Sequence, residues 1–463
     1  MSRQRVLVLG ADAAGMSAAH QALRSARNAG REIEVVALEK TEHTSYSACG
    51  IPYWIAGDLD DGDDLVARNP ERHRAMGVDL LTGATATALD LQRGEVAYRQ
   101  DGSEARLGYD SLVIATGASA IVPDWARTEA GDLVSGVMPV KTLTDGQGWI
   151  DLLTSQDAGP TTRVVVAGGG YIGVEMAEAA RRRGYDVSLL TRSTVMASLD
   201  PDMGDRIEKA LTDAGIHVVT SCDVIGLTSD GGRVTGVVAD DGNTWPCDLL
   251  VLALGVRPAT EFAASAGLPT GRSGGLLAQP DGTVTDAVWA AGDCCEARHR
   301  TTGEWVFVPL GTHANKQGRV VGTNVITPGA RQFGGVLGTA ITRFVHDATR
   351  LEISRTGLST LEAEMAGRDV QSLVTEGRTA SGYMPEASPA AVKILADPYT
   401  RQLLGAQIVG GPASGKRIDT VAAALWSHSS VDDLAEMDLA YAPPFATVWE
   451  VVQLAARRLA DAL

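Results

Sequence analysis

Cysteine is scarce in this chain. Five cysteines occur among 463 residues, at Cys49, Cys222, Cys247, Cys294 and Cys295. No CxxC pair and no Cys/His spacing of a zinc site is present, so we expect no bound metal. The odd and scattered set argues against a disulfide framework and indicates a reducing compartment. Neighbouring cysteines form only a strained bridge, so we expect Cys294 and Cys295 to be packing residues.

Long apolar runs and excess positive charge are missing as well. The sequence has no uninterrupted apolar span of about 20 residues, which argues against a transmembrane helix. The formal net charge of -17 argues against a surface that binds nucleic acid. The chain opens directly into the apolar strand Val6–Leu9, so we expect no signal peptide. These features predict a cytoplasmic protein without nucleic-acid or membrane partners.

A glycine-rich turn near the N-terminus carries the first positive signal. The turn Gly10–Gly15 leads into an alanine-rich helix predicted over Met16–Ser25, and a second strand, Ile33–Leu38, ends in Glu39. This order is typical of a dinucleotide-binding βαβ unit, in which the helix N-terminus faces a pyrophosphate and the acid binds a ribose hydroxyl. Asp12 replaces the middle glycine of the fingerprint.

The same pattern occurs again in the middle of the chain. The strand Arg163–Ala167 leads into the complete GxGxxG of Gly168–Gly173, followed by a helix through Arg183 and the strand Asp186–Leu190. One such motif is weak evidence for a nucleotide site. Two of them, each between a strand and a helix, are strong evidence for dinucleotide binding.

Three later strand-like segments, 109–117, 248–258 and 288–293, indicate how these units are connected. We predict an α/β fold with two Rossmann-like domains, the second inserted into the first, followed by a separate α+β domain. The predicted boundaries are 1–150 and 261–325 for the first domain, 151–260 for the second and 326–463 for the last. Within the last domain the pattern predicts strands over 391–395 and 403–409, and helices over 418–427 and 448–459.

Taken together, the motifs resemble the pyridine nucleotide-disulfide oxidoreductases. Within that family the chain resembles the single-cysteine branch of coenzyme A-disulfide reductases, NADH oxidases and NADH peroxidases, and the first of these most. The motifs that carry the resemblance span the chain: Gly10–Gly15, Ser45–Tyr53, 115–117, 168–175, 255–258, 291–293, 314–319, 335–339 and 441–445. The resemblance implies an FAD-binding first domain, an NAD(P)H-binding second domain and a C-terminal dimerisation domain in a homodimer.

The resemblance also implies which residues bind the cofactors. For FAD they are Gly10, Ala14, Gly15, Glu39, Thr116, Gly117 and Asp293. For NAD(P)H they are Gly168, Gly170, Tyr171, Ile172, Gly173, Glu175 and Gly255. In relatives, the tyrosine in the second glycine motif covers the flavin until nicotinamide displaces it, and the glutamate lies near that place. Simple core packing is the alternative for the tyrosine.

The choice between NADH and NADPH depends on the end of the second strand of the second unit. NADH enzymes have an acid there, which accepts hydrogen bonds from the ribose hydroxyls. This chain has Thr191-Arg192-Ser193 instead. The acid is missing and Arg192 suits a 2′-phosphate, so we predict NADPH rather than NADH. An idle, exposed Arg192 is the alternative.

The resemblance places Cys49 beside the flavin as the redox nucleophile. Flavin disulfide reductases of the usual kind carry two cysteines at this place, spaced to form an internal disulfide. Cys49 has no second cysteine nearby, so its redox partner is either a small-molecule thiol or an oxygen atom on sulfur. A buried structural cysteine is the alternative.

The resemblance also bears on the substrate. Oxidases and peroxidases of this branch carry a histidine where this chain has Ala13, as coenzyme A-disulfide reductases do. Those reductases contact coenzyme A through residues that match Gln21, Arg24 and Ser45. Solvated positions on a helix face are the alternative for Gln21 and Arg24. Ala48 departs from the asparagine that often precedes the cysteine in the reductases.

Two tyrosines complete the predicted site. Tyr441 lies in a Tyr-Ala-Pro-Pro turn that relatives deliver across the dimer interface to the neighbouring active site. A phenol there could protonate a departing thiolate. Tyr383 is a second candidate for this role, with packing as its alternative.

The sequence therefore predicts an FAD-dependent oxidoreductase that passes electrons from NADPH through Cys49 to a low-molecular-weight disulfide, first of all coenzyme A disulfide. An NAD(P)H oxidase or peroxidase that cycles Cys49 through sulfenic acid is one alternative. A persulfide or polysulfide reductase is another, although such relatives often carry an added rhodanese-like domain that we do not find in this sequence. A flavoprotein redox sensor is the alternative outside the enzymes.

Overall fold

The computed structural model describes residues 3–155 and 161–463. The helices of this part of the chain are α1 (Ala13–Asn28), α2 (Ile51–Ile55), α3 (Pro70–Ala75), α4 (Leu143–Thr154), α5 (Tyr171–Arg182), α6 (Pro201–Asp213), α7 (Glu261–Ser265), α8 (Gly311–Asn324), α9 (Thr360–Met365), α10 (Ile418–Trp426), α11 (Val431–Glu436) and α12 (Val451–Ala462).

The strands are β1 (Gln4–Leu9), β2 (Ile33–Leu38), β3 (Asp79–Leu81), β4 (Thr85–Asp90), β5 (Glu95–Gln100), β6 (Ser103–Gly108), β7 (Ser111–Ile114), β8 (Ala118–Ala120), β9 (Val137–Pro139), β10 (Arg163–Ala167), β11 (Asp186–Leu190), β12 (His217–Val219), β13 (Val224–Asp230), β14 (Arg233–Ala239), β15 (Thr244–Pro246), β16 (Leu249–Leu252), β17 (Val256–Pro258), β18 (Leu276–Leu277), β19 (Thr283–Thr285), β20 (Val288–Ala290), β21 (Cys295–Arg298), β22 (Trp305–Val306), β23 (Ala340–His346), β24 (Thr349–Gly357), β25 (Gln371–Arg378), β26 (Pro389–Ala396) and β27 (Leu403–Gly410).

The chain forms two compact units, and the first comprises residues up to Ile51, Asp61–Ala120 and Val256–Val336. Its main sheet has the order β19-β20-β7-β1-β2-β3 and is parallel except for β19 at the edge. The helices α1 and α8 pack closely because glycines on α8 leave no side chain between them. A Cβ atom at Gly318 would lie 2.3 Å from the carbonyl oxygen of Ala14.

The second unit comprises Pro52–Asp60, Ile121–Gly255 and Leu337–Leu463. It contains a parallel sheet of order β12-β11-β10-β16-β9 and an antiparallel sheet of order β23-β24-β27-β26-β25. Its central strands β10 and β16 are short, largely apolar and mostly buried, as expected for the middle of a Rossmann-type sheet. The helices α10, α11 and α12 pack with β26 and β27 in one apolar core.

The α/β class with Rossmann-type sheets is confirmed, while several predicted helix ends are wrong. The helix predicted over Met16–Ser25 is α1, which extends to Ala13 and Asn28, and the alanines and the arginine among the added residues favour helix. The helix predicted over 448–459 begins at Val451, because the side chain of Glu450 caps it by accepting a 2.6 Å hydrogen bond from the Val452 N–H. The four predicted domain ranges stay a prediction. Within 3–155 and 161–463, no helix is long and apolar enough to span a membrane.

Candidate active site

The first glycine-rich turn forms a cradle at the start of α1. Gly10 has a φ of +94°, and a Cβ atom there would lie 2.2 Å from the carbonyl oxygen of Ala115. A Cβ atom at Gly15 would lie 1.8 Å from the carbonyl oxygen of Gly10. Both positions therefore require glycine. The turn opens onto the N-terminus of the 16-residue α1, whose first N–H groups have no partner within the helix and can bind a phosphate.

The other residues predicted to bind FAD lie at the carboxyl ends of neighbouring parallel strands. Glu39 follows β2, is buried, and accepts a 2.8 Å hydrogen bond from the Ala11 N–H. Thr116 follows β7 and donates a 2.7 Å hydrogen bond to the carbonyl oxygen of Ala259. Asp293 follows β20, which pairs with β7. This edge of a parallel sheet is the place where dinucleotides bind, so the first unit fits the adenine dinucleotide part of FAD.

The second glycine-rich turn repeats the geometry of the first. Gly168 has a φ of +112°, and a Cβ atom there would lie 2.2 Å from the carbonyl oxygen of Ala253. A Cβ atom at Gly173 would lie 1.9 Å from the carbonyl oxygen of Gly168. At Gly170 a Cβ atom would meet open space. The helix that follows, α5, has 12 residues, so its N-terminus offers a second phosphate site.

Thr191 stands in the second unit where Glu39 stands in the first. The glycine that opens each turn donates a 2.8 Å hydrogen bond to the last residue of the neighbouring strand, Gly10 to Leu38 and Gly168 to Leu190. Glu39 and Thr191 are the next residues in the two strands. A neutral hydroxyl thus replaces the carboxylate at the second site, and Arg192 beside it is exposed.

The thiol of Cys49 is exposed and lies in a short helical turn, Ala48–Gly50, directly before α2. The Ser47 N–H donates a 2.8 Å hydrogen bond to the carbonyl oxygen of Leu65. The Gly50 N–H donates a 2.9 Å hydrogen bond to the carbonyl oxygen of Ser47, which closes the turn. A Cβ atom at Gly50 would lie 2.2 Å from Cδ2 of Leu65. Gly50 therefore lets the cysteine turn pack directly on Leu65.

Asp12 links the cysteine turn to the first cradle. Its Oδ1 accepts a 3.2 Å hydrogen bond from the Tyr46 N–H. Its backbone is extended, with a φ of -109°, so this position does not need a glycine. The departure from the GxGxxG fingerprint is therefore compatible with the cradle and gives the cysteine loop an anchor.

Two histidines connect the loop of Ser45 to α1. Ser45 has a φ of +49°, a strained value for a serine, and its Oγ lies 3.0 Å from Nε2 of His73. Nδ1 of His73 lies 2.7 Å from Nε2 of His20 on α1. Burial lowers the pKa of His73 to about 4, so its ring is neutral near pH 7. No motif in the sequence indicates either histidine, and sequence reasoning missed both.

The predicted coenzyme A contacts Gln21 and Arg24 share α1 with His20. Nε2 of Gln21 donates a 3.1 Å hydrogen bond to Oγ of Ser25, and Arg24 is exposed. The charge of Arg24 contributes to lowering the pKa of His20, after the larger effect of burial. The histidine pair therefore joins the face of α1 that carries these residues to the third predicted contact, Ser45.

Glu175 on α5 is a partly buried carboxyl group with neutral hydrogen-bond donors. Its Oε1 accepts a 2.6 Å hydrogen bond from the hydroxyl of Thr342 on β23 and a 3.4 Å hydrogen bond from the phenol of Tyr53. Burial raises the pKa of Glu175 to about 7, although both hydrogen bonds lower it. One turn earlier, the hydroxyl of Tyr171 is buried without a hydrogen-bond partner among the described residues.

The turns of Tyr383 and Tyr441 lie side by side. The Ser381 N–H donates a 2.9 Å hydrogen bond to the carbonyl oxygen of Pro443. The guanidinium of Arg417 donates to the carbonyl oxygens of Thr379 and Phe445, at 2.6 and 2.5 Å. Both tyrosines are exposed, and large apolar side chains nearby in the sequence are exposed too: Phe445, Val448 and Trp449. Exposed apolar side chains of this kind are typical of an interface.

Comparison with known protein families matches both parts of this architecture. Residues 4–318 match the family described as pyridine nucleotide-disulphide oxidoreductase. The chain belongs to this family. Residues 347–452 match the dimerisation domain of the same family, which supports a homodimer.

Relatives with different activities cover nearly the whole chain. An NAD(P)H coenzyme A polysulfide/persulfide reductase of Pyrococcus horikoshii is 34% identical, over 99% of this chain and 98% of its own. An NADH oxidase of Methanocaldococcus jannaschii is 32% identical, over 98% of each chain. The solved structure of an NAD-dependent persulfide reductase from A. fulgidus superposes with a TM-score of 0.91 at 30% identity, over 99% of this chain and 83% of that one.

Membership of this family identifies the chain as a flavoprotein NAD(P)H-dependent oxidoreductase, and the predicted family is confirmed. The family is FAD-dependent and uses NAD(P)H. The roles of the individual site residues stay predictions, as do the disulfide substrate and the preference for NADPH.

Proposed function

We propose that the chain is an NADPH-dependent flavoprotein reductase of low-molecular-weight disulfides, with coenzyme A disulfide as the first candidate substrate. The observation that carries this proposal is the exposed thiol of Cys49 in a turn that Asp12 anchors to the first glycine cradle. The sequence of the Ser45–Tyr53 loop contains one cysteine, and a single exposed thiol suits exchange with a small disulfide.

The chemistry assigned to the chain begins with thiol–disulfide exchange. The thiolate of Cys49 attacks one sulfur of the substrate, a bond forms between the two sulfurs, and the original S–S bond breaks. The first product leaves as a thiolate, to which the phenol of Tyr441 supplies a proton. When bound, FAD supplies the two-electron transfer between NADPH and sulfur. Two-electron reduction of the mixed disulfide releases the second thiol and restores the thiolate of Cys49.

Coenzyme A is the favoured thiol for two reasons. Ala13 stands where oxidases of this branch carry a histidine, and Gln21, Arg24 and Ser45 occupy the positions of coenzyme A contacts. The relative from Pyrococcus horikoshii is named for coenzyme A as well. Arg24 is exposed and can therefore pair with a phosphate of the nucleotide.

The preference for NADPH is supported by Thr191 and Arg192. A carboxylate at the place of Thr191 would repel a 2′-phosphate, whereas the neutral threonine does not. The exposed guanidinium of Arg192 adjoins that place and can bind a phosphate in a bidentate manner.

A persulfide or polysulfide is the second candidate substrate, because the relatives from Pyrococcus horikoshii and A. fulgidus are named for these reactions. An added rhodanese-like domain is not required for this assignment. The Pyrococcus horikoshii enzyme is matched over 98% of its length, so an enzyme of that name needs no such addition.

NADPH oxidation tests the proposal, first without oxygen in the presence of coenzyme A disulfide or of coenzyme A persulfide or polysulfide, and then in air without any of these substrates. Rapid oxidation with the disulfide is expected, together with a loss of at least about a thousandfold in Cys49→Ser, which keeps FAD bound. Cys222→Ser, at a buried cysteine, is the control and should keep full turnover. Unchanged turnover in Cys49→Ser would contradict the mechanism, and oxidation that needs only oxygen would assign the chain to the oxidases.

A further inference from the structure

The strand β23 binds two carboxyl groups of α5, and neither contact belongs to a recognised motif. The hydroxyl of Thr342 donates to Glu175 at 2.6 Å, and the N–H of Val345 donates to Glu178 at 2.9 Å. Glu178 is almost fully buried. Thr342 and Val345 are three residues apart on β23, and the glutamates that they bind are three residues apart on α5. The two contacts together fix the rotation of α5 about its axis.

Among the described residues, no cation is in hydrogen-bond contact with Glu175. Its donors are the neutral hydroxyls of Thr342 and Tyr53. The nearby cations are engaged elsewhere, since Arg182 pairs with Asp58 and Glu178, and Arg343 pairs with Asp58 and lies 5.1 Å from the ring centre of Tyr53. A buried carboxyl group without an ion-pair partner titrates at a higher pH than an exposed one.

We propose that Thr342, assisted by Tyr53, is a positioning residue that holds the carboxyl group of Glu175 at the second nucleotide cradle and sets the pH range over which that group ionises. This inference rests on the proposed place of Glu175 beside the nicotinamide. It goes beyond the family assignment because it gives Thr342, a residue of the antiparallel sheet that contains β23, a role at the nucleotide site.

The hydroxyl of Thr342 favours the ionised form of Glu175, because a carboxylate accepts this hydrogen bond more strongly than a neutral acid does. The phenol of Tyr53 acts in the same direction, and the negative charge of Glu178 acts in the opposite one. Removal of the Thr342 hydroxyl should therefore raise the pH at which Glu175 loses its proton, by about one pH unit for one charge-assisted hydrogen bond. Removal of the Glu178 charge should lower it.

Infrared titration of the carboxyl band, assigned with Glu175→Gln, tests the proposal on the FAD-loaded protein without turnover. The wild type should titrate near pH 7, Thr342→Val about one pH unit higher, and Thr342→Ser like the wild type because it keeps the hydroxyl. The matched control is Thr356→Val on β24, where the lost hydroxyl contacts Thr339 instead; it should leave the titration unchanged.

A second readout is the rate of anaerobic flavin reduction by NADPH as a function of pH. Its midpoint should move upwards in Thr342→Val and return in Thr342→Ser. If Thr342→Val does not fold, Tyr53→Phe is expected to move both midpoints in the same direction. An unchanged infrared midpoint in a folded variant overturns the positioning role. A shifted infrared midpoint with an unchanged rate profile overturns the link to the nucleotide site. Neither readout uses a disulfide, so a failed disulfide assay leaves both outcomes readable.

Discussion

The hydroxyl of Thr342 lies 2.6 Å from Oε1 of Glu175, and the two residues are 167 positions apart in the sequence. The hydrogen bond joins the antiparallel sheet of the dimerisation domain to the helix that opens the second nucleotide cradle. Burial nevertheless dominates the environment of the carboxyl group and raises its pKa from 4.5 to about 7. A group with such a pKa changes its charge in the range where enzymes work.

We expect Glu175→Gln to change how stability depends on pH. The folded protein binds the proton of Glu175 more tightly than the unfolded chain does, so the free energy of unfolding falls as pH rises from about 4.5 to about 7 and levels off above that. The amide removes this loss, so the wild type should lose about 2 kcal/mol more than the variant between pH 5 and pH 8. Urea unfolding at the two pH values measures it.

The matched control for this experiment is Glu71→Gln, at a glutamate whose side chain is 73% exposed. The same substitution there should leave the pH dependence of the wild type unchanged. An equal loss of stability in the wild type and in Glu175→Gln would show that Glu175 ionises freely in the folded protein.

Arg192→Ala should weaken the binding of NADPH and leave the binding of NADH unchanged. Loss of a charge-assisted contact with a phosphate corresponds to a rise in KM for NADPH of roughly 10- to 100-fold. The reverse change, Thr191→Glu, should favour NADH, because a carboxylate then accepts hydrogen bonds from the ribose hydroxyls as Glu39 is expected to do in the first unit. Steady-state kinetics with both cofactors give the answer. Arg233→Ala, at an exposed arginine of β14, is the control. If Arg192→Ala raised KM for NADH as much as KM for NADPH, recognition of the 2′-phosphate by Arg192 would be ruled out.

Gly50→Ala should disturb the cysteine turn through Leu65. The added methyl would lie 2.2 Å from Cδ2 of Leu65, so the buried leucine has to move, at a cost of about 1–3 kcal/mol in unfolding free energy. Shortening the neighbour in Gly50→Ala/Leu65→Val should recover part of that loss, with a coupling of at least about 0.5 kcal/mol in a double-mutant cycle. Additive effects of the two changes would mean that Gly50 and Leu65 do not compete for space.

The parts of the molecule that the sequence predicts well are those decided by local backbone geometry. Both glycine cradles were predictable because Gly10 and Gly168 need a positive φ and a close approach to a neighbouring strand, and only glycine allows this. The residue after each second strand, Glu39 or Thr191, could be predicted with them because its place is fixed by the same short βαβ unit.

The side-chain contacts beyond the cradles could not be predicted in the same way. His73 lies 53 positions from His20 and 28 from Ser45. Thr342 is on β23 of the antiparallel sheet, whereas the helix α5 that carries Glu175 follows β10 of the parallel sheet. Histidine and threonine are common in cores and strands, and nothing in their spacing marks them. Their partners follow from the packing of distant elements, which one sequence does not reveal.

The contacts of Arg417 couple the movement of two turns. Its single guanidinium holds the carbonyl oxygens of Thr379 and Phe445, and it pairs with Glu450 at 2.5 Å. The turns of Tyr383 and Tyr441 are therefore one mechanical element. On the proposed role of the two phenols at the active site of a neighbouring subunit, we expect any displacement that withdraws one of them to withdraw the other in the same step.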